Sequence, residues 1–325
     1  MFKTRVTELL KIPYPILGGT MMDLSLAPLV AAISNAGALG ILASAIFKKT
    51  DELRDEIRRI GDLTDKPFAV NINLFPMLMP PDNAAFVETL AEEGVTIVET
   101  SGFGAPADLI ALFKSHGMTW IHKCVGVRYA RKVAAMGADA VTVVGYENGG
   151  ATGTLNVTTL VLVPATVDAV NIPVIGGGGV ADGRGLAAIL ALGAEGAIVG
   201  TRFMLAEECP IHPNLKRALC EATELDTDIM MRSIGFAHRT WLNNPAKKTI
   251  ELETKGCTLE DILPYVSGAA AQKMYKTGDL DAGTVSCSQG IGLIKKVMPA
   301  KDIVEEMMAE VKTAYARLKT MGAFV

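Results

Sequence analysis

The sequence predicts an α/β fold of the (β/α)8 barrel class, carrying a C-terminal helical cap. Eight short aliphatic runs alternate with helical patterns from the N-terminus to about residue 224. Near-continuous apolar runs mark strands buried on both faces of a parallel sheet, and eight strand–helix units suit closure into a barrel. The richest glycine turns, Gly176-Gly177-Gly178-Gly179 and Gly200-Thr201, come after the last two strands. An open doubly wound sheet is the rival, but its glycine fingerprint would normally sit at the first strand–helix turn.

The first strand covers 14–17 and ends in Gly18-Gly19-Thr20-Met21-Met22. Leu26, Leu29, Val30 and Ile33 recur on one face and predict a helix over 25–35, which Gly37 stops. Strand 39–42, a charged helix over 51–60 and strand 68–73 follow. The alternation continues through helix 83–93, strand 95–99, helix 106–115, strand 118–122, helix 127–135 and strand 139–144. A longer connection then carries Gly145 to Gly153. Extended loops at the C-terminal mouth of a barrel are where catalytic groups sit. Helix 158–169, strand 173–175, helix 182–191, strand 196–199 and a helix near 213–223 complete the eight units.

Beyond residue 225 the alternation stops. Segments 227–239, 259–266 and 269–277 read as cap helices over the mouth, and 303–321 as an amphipathic helix returning to the barrel. The chain therefore divides into a barrel over 1–224, a cap over 225–284 and a terminal segment over 285–325.

Composition narrows the function. Half of the residues are hydrophobic and only 6% aromatic, which describes an aliphatic core. A net charge of −4 argues against nucleic-acid or membrane-surface partners. No apolar run approaches a membrane span, and the N-terminus lacks the apolar core of a secretion signal. Five scattered cysteines without a C-x-x-C pair fit free thiols in a reducing cytoplasm, not a disulfide scaffold or a zinc site. These features describe a cytoplasmic protein acting on a small molecule.

The glycine run lets the backbone turn sharply and approach a ligand that a Cβ would block. Free N–H groups at a following helix start favour an anion such as phosphate. A second unit, Gly196-Ala197-Ile198-Val199 into Gly200-Thr201, strengthens the phosphate reading, because barrels hold one phosphate after strands seven and eight. Polar residues at strand ends are the candidates for chemistry: Thr20, Asn71, Asn73, Glu99, Thr100, His122, Lys123 and the loop at 145–153. Lys123 ends the fifth strand, where a cation could offset electron density on a bound ring or pair with a phosphate. His122 should point the other way, since neighbours alternate along a strand. His116, His212 and His238 read as satisfied surface or core histidines at a helix end, near a turn and in the cap. No metal-ligand spacing and no nucleophile triad can be proposed, so a cofactor should carry the hard chemistry.

Several stretches, taken together, resemble the flavin-dependent nitronate monooxygenase family (2-nitropropane dioxygenase-like), and within it the NAD(P)H:quinone reductase branch. They are Pro15-Ile16-Leu17-Gly18-Gly19-Thr20-Met21, Lys66-Pro67-Phe68-Ala69-Val70-Asn71, Ile121-His122-Lys123-Cys124 and Asp139-Ala140-Val141. Gly176 to Gly185, Ala194 to Phe203, and Ser288-Gln289-Gly290-Ile291-Gly292-Leu293 match as well. The resemblance implies FMN, with Thr20, Met21 and Met22 lining its ring and Asn73 and Lys123 contacting the pyrimidine side. Gly149 and Gly150 would pass over the cofactor, and Gly177, Gly178, Gly179, Gly200 and Thr201 would bind its phosphate. It further implies NADH or NADPH as donor, met by a proline-bearing loop with Pro76 and Pro80, and a homodimer.

One position departs from the pattern. Nitronate-oxidising members usually carry a histidine in a Gly-Gly-His-x-Gly setting, where this chain reads Gly149-Gly150-Ala151-Thr152-Gly153. Alanine cannot take a proton, so Glu147 and Tyr146 become the nearby substitutes beside Lys123. The implied activity is FMN-dependent hydride transfer from NAD(P)H to a quinone or a conjugated C=C acceptor of the enone or enoyl type. Nitronate oxidation with O2 is the alternative, and a non-catalytic flavin- or phosphate-binding protein is a third.

Overall fold

A computed structural model describes residues 3–75, 80–102 and 104–322. Eight parallel strands form its core: β1 (Ile16–Gly18), β2 (Gly40–Ala43), β3 (Phe68–Asn73), β4 (Ile97–Ser101), β5 (Thr119–Cys124), β6 (Ala140–Val144), β8 (Val174–Gly177) and β9 (Gly196–Val199). A two-residue strand, β7 (Gly150–Ala151), lies in the loop after β6. The hydrogen-bonded order runs β1-β9-β8-β6-β5-β4-β3-β2. A parallel bridge between Leu17 and Leu39 joins its two ends. There Gly18 N–H donates to the Leu39 carbonyl and Leu39 N–H to the Ile16 carbonyl, both at 2.9 Å. The sheet closes as the expected (β/α)8 barrel.

Alternation along the strands sorts the side chains. Leu17, Ile41, Ala69, Ile97, Ile121, Ala140, Ile175 and Ile198 fill the barrel interior, while Val70, Val98, Trp120, Val141 and Val174 face the surrounding helices. A helix at Arg5–Leu10, without counterpart in the sequence reading, plugs the N-terminal end. Its Val6 and Leu10 join the interior cluster, and a reciprocal cap between Thr4 and Thr7 starts it.

The outer ring differs from expectation at its eighth place. Only the short helix Thr201–Met204 follows β9 directly, and Pro213–Glu221 comes after it. The chain's last helix, Ala300–Thr320, instead packs between Gly183–Ala191 and Ala27–Asn35, which are the helices after β8 and β1. Its Ile303, Val304, Met307, Met308 and Val311 form one buried stripe. The approach is close: a Cβ on Gly183 would run into the Met307 carbonyl oxygen.

The cap also needs correction. Helices at Leu259–Val266 and Gly268–Thr277 are present, joined by Asn244–Thr254. Segment 227–239, however, is not a helix. It forms β10 (Thr227–Met230) and leads into β11 (His238–Trp241), an antiparallel pair. Thr227 and Ile229 are buried and Asp228 exposed, the period of a strand. Met231 and Gly235 have φ of 65° and 77°, which a helix does not accommodate. β11 also pairs with β7, so the cap is stitched to the loop after β6 by a three-stranded sheet.

Candidate active site

Two residues above the apolar interior layer, the inward positions turn polar or become glycine. On β3 to β6 they are Asn71, Glu99, Lys123 and Thr142; on β8 it is Gly177, and just past β1 and β9 come Gly19 and Gly200. The registers set Asn71 beside Glu99 and Lys123 beside Thr142. Glu99 is fully buried. Its Oε2 accepts from Asn71 Nδ2 at 2.6 Å, Thr20 Oγ1 at 2.7 Å and Lys123 Nζ at 3.3 Å. Burying a carboxylate is tolerable only when it is paired and hydrogen-bonded in this way. Glu99 Oε1 and Thr142 Oγ1, by contrast, meet no partner among the described residues. Buried polar atoms are rarely left so, and these two fit a polar ligand seated on the layer.

Across the mouth lies the glycine edge. Gly178 and Gly179 have φ of 102° and 74°, accessible to glycine at little cost. The backbones at Gly19 and Gly200 nearly touch, since a Cβ on Gly19 would sit 2.8 Å from Gly200 Cα. On its other side Gly200 borders open space, with nothing within 4 Å of a built Cβ. The N–H groups of Gly178, Gly179 and Gly200 meet no backbone acceptor among the described residues.

The helix start after Gly179 does not supply the anion site that the sequence suggested. Asp182 Oδ1 accepts from Gly185 N–H at 3.0 Å and Glu310 Oε2 from Gly183 N–H at 2.6 Å. Two carboxylates already complement that helix dipole and would repel another anion. Among the described residues, the donors at this edge without a backbone acceptor are the N–H groups of Gly178, Gly179 and Gly200. Thr201 Oγ1 is partly committed, accepting from Ser288 N–H at 3.0 Å.

The loop over 145–153 is tied down at most points. Glu147 Oε2 accepts from Thr159 N–H at 2.9 Å and Thr159 Oγ1 at 2.8 Å, capping the helix Thr159–Val167. The Tyr146 ring lies 4.6 Å from the Arg239 guanidinium, and its carbonyl accepts from Arg239 Nε at 3.2 Å. Among the three candidate catalytic side chains, only Lys123 enters the polar layer. Glu147 is instead held by a helix start and Tyr146 by a buried arginine. Gly149 packs on the C-terminal segment, where a Cβ would come 2.7 Å from Ser288 N.

Ala151 stands opposite His238 in the β7–β11 pair. His238 Nε2 lies 2.9 Å from Ser286 Oγ, and its Cε1 would be 3.9 Å from a Cβ built on Gly150. Burial pushes the His238 imidazole down to about 4, so it is neutral near pH 7. The sequence reading places His238 in a cap helix; only pairing with a loop far away in the chain brings it to the mouth. His122 points outward as its strand position requires. Its Nδ1 lies 2.8 Å from Thr100 Oγ1, which also accepts from Trp120 Nε1 at 2.8 Å, and burial lowers its pKa to about 4.

The remaining candidates are scattered around the mouth. Met21 is half-buried, its N–H donating to Ser25 Oγ at 2.9 Å, and Met22 is exposed. Asn73 Oδ1 accepts from Phe75 N–H at 3.2 Å. Pro80 is exposed ahead of the helix Asn83–Glu92, and Pro76 lies outside the described residues. Among the described residues, no cluster of metal-ligating side chains occurs, and no helix is long and apolar enough to cross a membrane.

The model of the nitronate monooxygenase family matches residues 3–310. The chain belongs to that family. A (3aS,4S,5R,7aS)-5-hydroxy-7a-methyl-1-oxo-octahydro-1H-indene-4-carboxyl-CoA dehydrogenase from Rhodococcus jostii is 32% identical, over 99% of this chain and 98% of its own length. The structure of FabK from Thermotoga maritima superposes with a TM-score of 0.91 at 37% identity, covering 99% of this chain and 100% of that one. A nitroalkane oxidase from Streptomyces ansochromogenes follows at 0.83 and 28%, covering 97% and 100%. This family member is an FMN-dependent oxidoreductase. Its orphaned Glu99 Oε1 and Thr142 Oγ1 and the open side of Gly200 suit a flavin mononucleotide.

Proposed function

We propose that the protein carries hydride from NADH or NADPH, by way of FMN at the barrel mouth, to a C=C bond conjugated to a carbonyl. An enoyl thioester is the favoured acceptor, with a quinone as the other acceptor of this type. The observation behind this reading is how the mouth's carboxylates are used. Glu99 accepts from Thr20, Asn71 and Lys123, and Glu147 caps a helix. A reaction that begins with a carboxylate taking a carbon-bound proton needs a carboxylate that is free. One that begins with arrival of hydride does not.

FMN, when bound, supplies the capacity to accept hydride from a nicotinamide and pass it to an electron-poor carbon. Thr20, Asn71, Glu99 and Lys123 would hold the polar edge of its ring. Gly178, Gly179, Gly200 and Thr201 would hold its phosphate. Phe236, in the turn between β10 and β11, meets Phe75 after β3 at 5.6 Å between ring centroids, so the hairpin reaches the rim of the mouth. The name of the Rhodococcus relative, a carboxyl-CoA dehydrogenase, supports an acyl-thioester substrate class.

Anaerobic stopped-flow mixing tests the reading. FMN-loaded protein should be bleached by NADH or NADPH, and the reduced protein should regain its colour on mixing with crotonyl-CoA. Bleaching by neither nucleotide would contradict it. Oxidation of alkyl nitronates is the second reading, favoured by the similarity to a nitroalkane oxidase. An already ionised nitronate needs no base. Anaerobic bleaching by propyl nitronate but not by NAD(P)H would select it.

A further inference from the structure

Of the four histidines in the chain, three are engaged away from the mouth. His116 pairs with Glu88, His122 faces Thr100 on the outside of the barrel, and His212 caps the helix Pro213–Glu221. His238 is different. Its strand pairs with β7 inside the mouth loop, and Phe236, two residues earlier, reaches Phe75 above β3. Its ring is half-buried, with Nε2 at 2.9 Å from Ser286 Oγ, and Nδ1 has no partner among the described residues. Ser286 is itself held beside β11 by a bridge to Thr240. Small neighbours, Gly150 and Ala151, pack beside the imidazole on the loop side.

We propose that His238, oriented by Ser286, is a catalytic hydrogen-bond donor to the carbonyl oxygen of the acceptor. The proposal rests on the hydride-to-enoyl reading above and names the residue that serves the acceptor in it. Ser286 O–H donating to Nε2 would fix the ring's single proton on Nδ1, the nitrogen without a partner among the described residues. In the reaction, hydride adds to the β-carbon, a C–H bond forms and the C=C π bond breaks. The electron pair moves to the thioester carbonyl oxygen, where the Nδ1–H bond strengthens as negative charge develops. A proton from water then reaches the α-carbon and completes the saturated thioester. A neutral imidazole can act in this way because it has a proton to share and no charge to bury. The lowered pKa of His238 keeps it in that neutral form. Ser286 is the positioning residue.

His238→Asn and Ser286→Ala test this in the FMN-loaded protein. His238→Asn should slow reoxidation of the reduced protein by crotonyl-CoA about 10²- to 10³-fold, the usual effect of removing one such donor. Bleaching by NAD(P)H and reoxidation by ferricyanide, which has no carbonyl, should stay within about twofold of wild type. Ser286→Ala should lose about tenfold in the crotonyl-CoA step. A readout independent of turnover comes from histidine ring nitrogen NMR of the oxidised protein. The signal absent from His238→Asn should move when butyryl-CoA is added, and its tautomer should change in Ser286→Ala. Wild-type rates of crotonyl-CoA reoxidation in His238→Asn, or an unmoved His238 signal, would overturn the role of His238 alone. Failure of the wild-type protein to be reoxidised by crotonyl-CoA would overturn the acceptor reading, and this proposal with it.

Discussion

Lys123 Nζ lies 3.3 Å from Glu99 Oε2, on adjacent strands at the floor of the barrel mouth. Glu99 is fully buried and the Lys123 side chain 20% exposed, so neither charge can rely on water alone. Removing one partner of such a pair leaves the other uncompensated. Lys123→Met should destabilise the protein by about 2–4 kcal/mol in urea unfolding. The double variant Glu99→Gln/Lys123→Met should cost less than the two single changes together, by at least about 1 kcal/mol. Additive losses would mean that the contact carries no coupling.

Two glycines at the mouth should respond oppositely to alanine. A Cβ on Gly178 would meet Thr159 Oγ1 at 2.6 Å in a backbone of positive φ, so Gly178→Ala should lower the melting temperature. Gly200 has negative φ and open space at the Cβ position. Gly200→Ala should leave melting nearly unchanged yet weaken FMN binding about tenfold, or about 1.4 kcal/mol. Fluorescence titration of the apo-protein with FMN measures this. Unchanged affinity would place the phosphate elsewhere.

Glu147 and Tyr146 should behave as structural residues. Glu147→Gln removes a charged acceptor from the start of Thr159–Val167 and should cost about 1 kcal/mol of stability. Tyr146→Phe keeps the ring beneath Arg239 and should be close to neutral. Both should leave hydride transfer from NAD(P)H within about twofold of wild type. A hundredfold loss in either would return that residue to the chemistry.

Acid should weaken the fold through the buried histidines. His122 has a folded pKa of about 4 against an ordinary 6.5, with desolvation as the chief cause. Between these values the unfolded chain binds more protons. The contribution of His122 is therefore complete above pH 6.5, falls as pH drops through that window and is gone below 4. The full effect is about 3 kcal/mol. His122→Gln should flatten the dependence of unfolding free energy on pH over this range, with His238 accounting for part of what remains. An identical slope in the variant would show that His122 is not held neutral.

The barrel was legible because its strands are set by local pattern. Aliphatic runs such as Phe68–Asn73 and Gly196–Val199 lie where the periodicity puts them, and the same period of two sends Lys123 inward and His122 outward. What escaped depends on pairing between distant segments. β10 and β11 become strands through each other and through Gly150–Ala151, and that brings His238 to the mouth. The eighth helical place is filled by the far end of the chain, against Gly183, a contact that no window around β9 contains. Glu147 looked available because its partner, Thr159, is brought back to it only by the turn of the loop.

Flavin content of the purified protein, read from its visible spectrum and followed by anaerobic addition of NADPH or NADH, tests most directly whether this mouth is a hydride-transfer site. The protein should be yellow with FMN in stoichiometric amount, and at least one nucleotide should bleach it within a single exponential phase. A colourless protein that takes up no FMN when supplied with it, or one whose bound FMN stays oxidised with both nucleotides, would contradict that assignment.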